Sequence, residues 1–278
     1  MKTKLIKPKN QILKRYVQYF LFFYKNETNC INYNTFPNSN LCLAIYKENN
    51  IVYNNGSNQN NCLVMPGKNG FTSRLYGFHK MPFNVDISSC LDQICIIFYP
   101  SALSAFTMES YSDLMASDNV FNILKTKDNC LLEQLFDESD FNKRADILEN
   151  LLLSNLKYAI PEKLKEAMQI LAGQANNITS VDLLAQKLQI SKPSLFRLFK
   201  NSLGQNPKSY LKTVRFRNTL NEILSKQNNL TDIAYTNQFY DQAHFIHDFK
   251  LFSGYSPKQL SEKISVQQSD LAWIYNKK

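Results

Sequence analysis

Between Ser191 and Gly204 the sequence gathers Lys192, Pro193, Ser194, Phe196, Arg197 and Lys200 in one stretch that contains no acid. A planar guanidinium such as that of Arg197 can fork onto the O6 and N7 acceptors of guanine, and an aromatic edge such as that of Phe196 can meet a thymine methyl. Lys200, nearly one turn further along, is placed for phosphate or for solvent. Fifty residues on, Gln242, His244, Ile246 and His247 occupy the corresponding stretch. Gln242 suits the donor–acceptor pair of adenine, and His247 falls where Arg197 does. His244 reads equally well as a base contact and as a packing residue. This is the chemistry of recognition, by hydrogen bonds and charge, of a polyanion such as DNA. Gly-rich phosphate loops, GxSxG elbows and HExxH pairs are absent from the sequence, so catalytic residues, an enzyme activity and a cofactor are not expected.

Such side chains need helices to aim them, and the sequence writes the same helix ending twice. FKNSLGQNP (199–207) and FKLFSGYSP (249–257) share Phe, Lys, Gly and Pro at identical spacing in a chain with only 7 glycines and 9 prolines. Upstream of the first copy, Val181, Leu184, Ala185 and Leu188 mark a short amphipathic helix. Ser191 then caps a second helix with Pro193 in its first turn, Leu195, Leu198 and Phe199 inward, and Gly204 as its stop. Around the second copy, Asn229 and Thr231 open a helix carrying Ile233 and Ala234, NQFY turns, and Asp241 caps a helix with Phe245 and Phe249 inward. Each copy is a pair of short helices joined by a tight turn, a helix-turn-helix. One long helical pattern, 206–227, joins them. B-DNA presents its major groove once per turn, roughly every 34 Å, so two recognition helices on one connector suit two successive grooves.

These residues resemble the AraC family of transcriptional regulators. LLAQKLQISKPSLFRLFKNSLGQNPKSYLKTVRFRNTL (183–220) and TDIAYTNQFYDQAHFIHDFKLFSGYSPKQL (231–260) are similar to the two halves of its DNA-binding domain, and the likeness covers roughly residues 162–263. The resemblance implies a seven-helix domain, binding to double-stranded DNA and contact with RNA polymerase. Two positions depart from the family pattern. Gln238 stands where the turn usually has Gly, which puts the turn geometry in question. His247 stands for the usual Arg, which implies weaker or pH-sensitive contacts in one half-site.

The remainder of the chain reads differently. Residues 1–163 carry 17 Lys and Arg against 15 acids, whereas residues 164–278 carry 15 against 8. In the first hundred residues LCLAIY (41–46), IVY (51–53) and ICIIFY (94–99) read as strands, with YVQYFLFFY (16–24) as a buried strand too short to span a bilayer. Asn-rich turns such as NNGSNQNN (54–61) separate them. From about Ser101 the pattern turns helical. Leucines between Lys143 and Ile160 exceed one amphipathic face and suit either a contact with a second protomer, hence a homodimer, or an ordinary core helix supporting the β-rich domain. Pro161 starts a further helix, and GQANNIT (173–179) is a loop.

The expected fold is α+β: a β-rich, barrel-like domain ending in helices over 1–160, an all-α domain with two helix-turn-helix units over 161–265, and a tail over 266–278. The N-terminus lacks the apolar core of a signal peptide, and the expectation is a cytoplasmic protein without membrane contact. In the family, such β-rich domains bind a small-molecule effector or dimerise. All six cysteines lie in the first half without a CxxC pair, and His79 is the one histidine before residue 164, so neither zinc nor a metal enzyme is expected there. A thiol or alkylation sensor using the same DNA-binding module is the alternative reading.

Overall fold

The computed structural model describes residues 1–56, 60–124, 130–174, 178, 180–225, 229–264, 266–268 and 271–276. The middle of the Asn-rich turn, parts of the 173–179 loop and the end of the connecting helical pattern therefore lie outside the described residues.

Seven strands form the N-terminal half: β1 (Lys2–Ile6), β2 (Val17–Lys25), β3 (Ile31–Thr35), β4 (Leu41–Asn55), β5 (Asn60–Tyr76), β6 (Phe83–Ile87) and β7 (Leu91–Phe98). The short runs at 41–46 and 51–53, expected as separate strands, are one strand. A bulge between Lys47 and Asn49 lets β4 continue along the 17-residue β5, whose pairing resumes on the far side. The run at 16–24 is β2, and its unbroken apolarity has a plain cause. Its even-numbered residues Phe20 and Phe22 enter one core, and its odd-numbered Tyr19, Leu21 and Phe23 enter another on the opposite face.

The first of these cores is covered by helices. After α1 (Tyr111–Ala116) and α2 (Leu131–Asp137), α3 (Phe141–Ser154) packs Ala145, Leu148 and Leu152 onto the sheet. Arg144 fixes its seat: the buried guanidinium grips Asp92 of β7 through two bonds, at 2.6 and 2.9 Å, and also donates to the carbonyls of Phe136 and Glu138. This helix stops at Ser154 rather than running on to Ile160. Leu151 is buried in the same core, and Ile147, Leu153, Leu156 and Ile160 pack against it partly buried, so these side chains have a use within the chain.

The C-terminal half contains α4 (Glu162–Gln174), α5 (Val181–Lys187), α6 (Lys192–Leu203), α7 (Pro207–Ser225), α8 (Leu230–Thr236), α9 (Gln242–Ser253) and α10 (Pro257–Lys263). It does not end in a free tail. Residues read as one form β8 (Val266–Gln268) and β9 (Leu271–Tyr275), and β9 pairs antiparallel with β3, matching Thr35 with Trp273 and Tyr33 with Tyr275. The full sheet runs β1-β2-β7-β4-β5-β6-β3-β9-β8. So short a stretch carries little periodicity; pairing with β3 makes it a strand. No described helix is long and apolar enough to cross a membrane.

Candidate DNA-reading surface

The first unit is built as its sequence dictates. Ser191 Oγ accepts from the Ser194 amide at 3.3 Å, Pro193 occupies the first turn of α6, and Gly204 closes the helix at φ 69°. Leu195, Phe199 and Leu203, spaced by four, sink completely into a core with Leu184, Leu188 and Tyr210. Lys192, Pro193, Phe196, Arg197 and Lys200 are consequently exposed, and Ser194 is half-buried with its hydroxyl 2.9 Å from that of Ser191.

The second unit repeats the plan. Asp241 accepts from the His244 amide at 2.7 Å, and Gly254 ends α9 at φ 76°. Phe245 and Phe249 are buried against Phe216 and Leu220 of α7, so the connector forms part of this core. Gln242, His244 and His247 are exposed. Ile246 is half-buried against the same core, which gives it a packing role beside the base contact expected of it.

Both turns hold a non-glycine residue in the left-handed region, Gln189 at φ 53° and Gln238 at φ 55°. Gln238 therefore adopts the conformation that glycine would favour, and the turn keeps its geometry. In each turn the next residue, Ile190 or Phe239, donates from its amide back to the Ala of the preceding helix, Ala185 or Ala234. The second turn is one residue longer. That residue is Tyr240, 90% exposed, whose amide lies 3.4 Å from His244 Nδ1. Tyr240 is not among the residues the sequence singles out above; the 49-residue offset between Gln189 and Gln238, against 50 elsewhere, marks it.

The stretch Lys192–Arg217 contains no acid along the sequence, but acids reach it in space. Lys192 pairs with Asp182 of α5, Lys212 lies 3.5 Å from Asp248 of α9, and Arg217 is buried. Arg215 is spread over the Phe239 ring at 5.3 Å. Asp248 also gathers His244 Nε2 at 3.6 Å and His247 Nδ1 at 3.9 Å. His244 thus has partners on both nitrogens and packs edge-on against Phe239, whereas the His247 side chain is 72% exposed. Of the charged residues on α6, Arg197 is exposed and makes no ion pair among the described residues. Structure brings Phe196, Arg197 and Lys200 to one open face, with Gln242 and His247 on the equivalent face of α9.

Comparison with known families places a helix-turn-helix domain on residues 184–263, spanning both units. Residues 5–119 match a separate domain family of unknown function. The chain is 32% identical over 81 residues to the HTH-type transcriptional activator RhaS of Yersinia pestis, covering 29% of this chain and 30% of that protein. Residues 184–263 therefore form a helix-turn-helix domain.

An uncharacterized HTH-type transcriptional regulator of Haemophilus influenzae is 26% identical over 124 residues, 44% of this chain and 42% of its own length. The chain thus spans less than half of either curated relative. Among solved structures, the DNA-binding domain of AdpA in complex with a target DNA aligns at a TM-score of 0.34 and 19% identity, over 36% of this chain and 90% of that one. Unsaturated fatty acid-bound ToxT from Vibrio cholerae aligns at 0.43 and 13% over 90% and 98%. Ahead of the helix-turn-helix domain, burial pushes the Cys62 thiol up to about 11, and contact with Cys42 together with burial raises Cys95 well above the usual thiol range. Such thiols stay protonated and unreactive, which weighs against sensing at these two positions. Cys30, Cys90 and Cys130 are exposed.

Proposed function

We propose that the protein is a sequence-specific DNA-binding transcriptional regulator, with α6 and α9 reading successive major grooves and the β-rich half controlling them in response to a small effector. The observation that carries this reading is the duplication: two capped, glycine-stopped helices on one connector, each with its core face buried and its polar face open. Arg197 is the leading base-reading residue, Phe196 a thymine contact, and Lys200 a backbone contact. Gln242 and His247 take the second groove, and RNA polymerase is the partner expected of a regulator with this domain.

Selection of duplexes from random sequence by the full chain tests the proposal. A defined site should emerge, and its affinity should fall steeply with salt as phosphate neutralisation releases counterions. Recovery of no preferred sequence, or a salt-insensitive affinity, would count against it.

A further inference from the structure

The sheet borders a half-open cavity of about 130 Å³ that DNA reading does not use. Its wall is rich in aromatic rings, including Tyr33, Tyr46, Tyr76, Phe83 and Trp273, and no Asp, Glu, Lys or Arg among the described residues lines it. The Tyr46 and Tyr76 hydroxyls satisfy each other at 2.9 Å, and Cys62 Sγ lies 3.3 Å from the latter. His79 differs. Its ring stacks on Phe83 at 5.0 Å, while Nδ1 is sealed from water without a hydrogen-bond partner. Leaving a buried polar atom unmatched is unfavourable, so the His79 end of the site is short of a polar partner. Burial lowers the imidazole pKa to about 4; the ring is neutral, and Nδ1 donates or accepts according to tautomer. A cavity of roughly this size accommodates a benzene-sized molecule.

One wall arrives from the far end of the chain. Trp273 on β9 lies edge-on to Phe23 and Tyr33, with ring centroids 6.4 and 6.5 Å apart. The next residue, Ile274, belongs to the core of the second helix-turn-helix unit with Phe216, Phe245 and Phe249. Successive side chains of a strand point to opposite faces, so one strand borders both the cavity and the helix that carries Gln242 and His247.

We propose that this cavity binds a small, uncharged aromatic molecule bearing a hydroxyl, held through His79, and that β9 transmits its occupancy to the second DNA-reading unit. An occupant that presses on Trp273 shifts the strand and with it the seat of Ile274. The effect on DNA can be no larger than the difference in ligand affinity between the two arrangements. The transmission half rests on the DNA-binding reading above; the cavity half stands without it.

Trp273 is the only tryptophan in the chain, so its fluorescence reports on the cavity directly. Phenol, benzene and benzoate are titrated into the full chain without DNA. Phenol should give a saturable change and benzene one about tenfold weaker, since the lost hydrogen bond is worth about 1.4 kcal/mol. Benzoate should give none, because its charge finds no partner. His79→Leu should erase the difference between phenol and benzene, and His79→Gln should restore part of it. Non-saturating quenching by all three, or a phenol preference intact in His79→Leu, overturns the site.

With the duplex selected above, saturating phenol should change DNA affinity by at least about threefold. In Ile274→Ala that ratio should fall to one while phenol still binds. An unchanged affinity in the parent protein overturns the transmission. Failure of the ligand-free chain to bind any duplex would instead overturn the DNA reading and leave the cavity result standing.

Discussion

Arg197 and Lys200 lie on one helix with the same charge, yet their surroundings predict different losses. The Lys200 ammonium donates to the Gly204 carbonyl at 3.3 Å, at the end of α6, whereas Arg197 is exposed beside Phe196 with no ion pair among the described residues. Arg197→Ala should cost about 1–3 kcal/mol on the preferred duplex and relax preference at one base pair. Lys200→Ala should weaken every duplex alike and lower the salt slope by about one. Equilibrium binding to the preferred site and its single-base changes, at several salt concentrations, separates the two. His79 makes a pH prediction of opposite character. Its folded pKa of about 4 lies below the ordinary 6.5, so protons bind the unfolded chain first. Its stability contribution is intact above 6.5 and is lost as pH falls from there toward 4. Denaturant titrations should show that slope in the parent protein and a shallower one in His79→Phe.

The helix-turn-helix elements were legible because each is a local contract: cap, inward residues at spacing four, glycine stop. What escaped the sequence was long-range. β4 reads as two fragments because the bulge at Lys47 and Asn49 breaks its alternation, and β9 is a strand only because β3 offers it an edge. Likewise, Lys192 and Lys212 look unopposed along the chain, but Asp182 and Asp248 reach them from neighbouring helices. The two helix stops show how much local reading leaves out. Gly204 and Gly254 share motif, position and left-handed φ. A Cβ on Gly204 would meet the Tyr111 ring of α1 at 2.0 Å, whereas one on Gly254 would find only Pro82 at 3.4 Å. Gly254→Ala should therefore cost about 1 kcal/mol of backbone strain, and Gly204→Ala a further 1–3 kcal/mol of overpacking. Thermal unfolding of both variants checks the order.

Across the whole molecule the two halves are interleaved. Phe78 packs on Tyr111 at 6.2 Å and on Tyr210 at 5.6 Å, and β9 returns from the C-terminal domain to the N-terminal sheet. A fragment starting at residue 162 would carry Trp273 and Ile274 without the β3 edge that seats them. The full chain is therefore the object to test. The central claim is that one monomer reads two successive grooves through α6 and α9. Footprinting of the full chain on its selected duplex, before and after inserting half a helical turn between the protected segments, measures this most directly. Two protected major-groove segments about 10 base pairs apart on one face are expected, with affinity lost on insertion. A single protected segment, or two whose affinity survives the insertion, would contradict it.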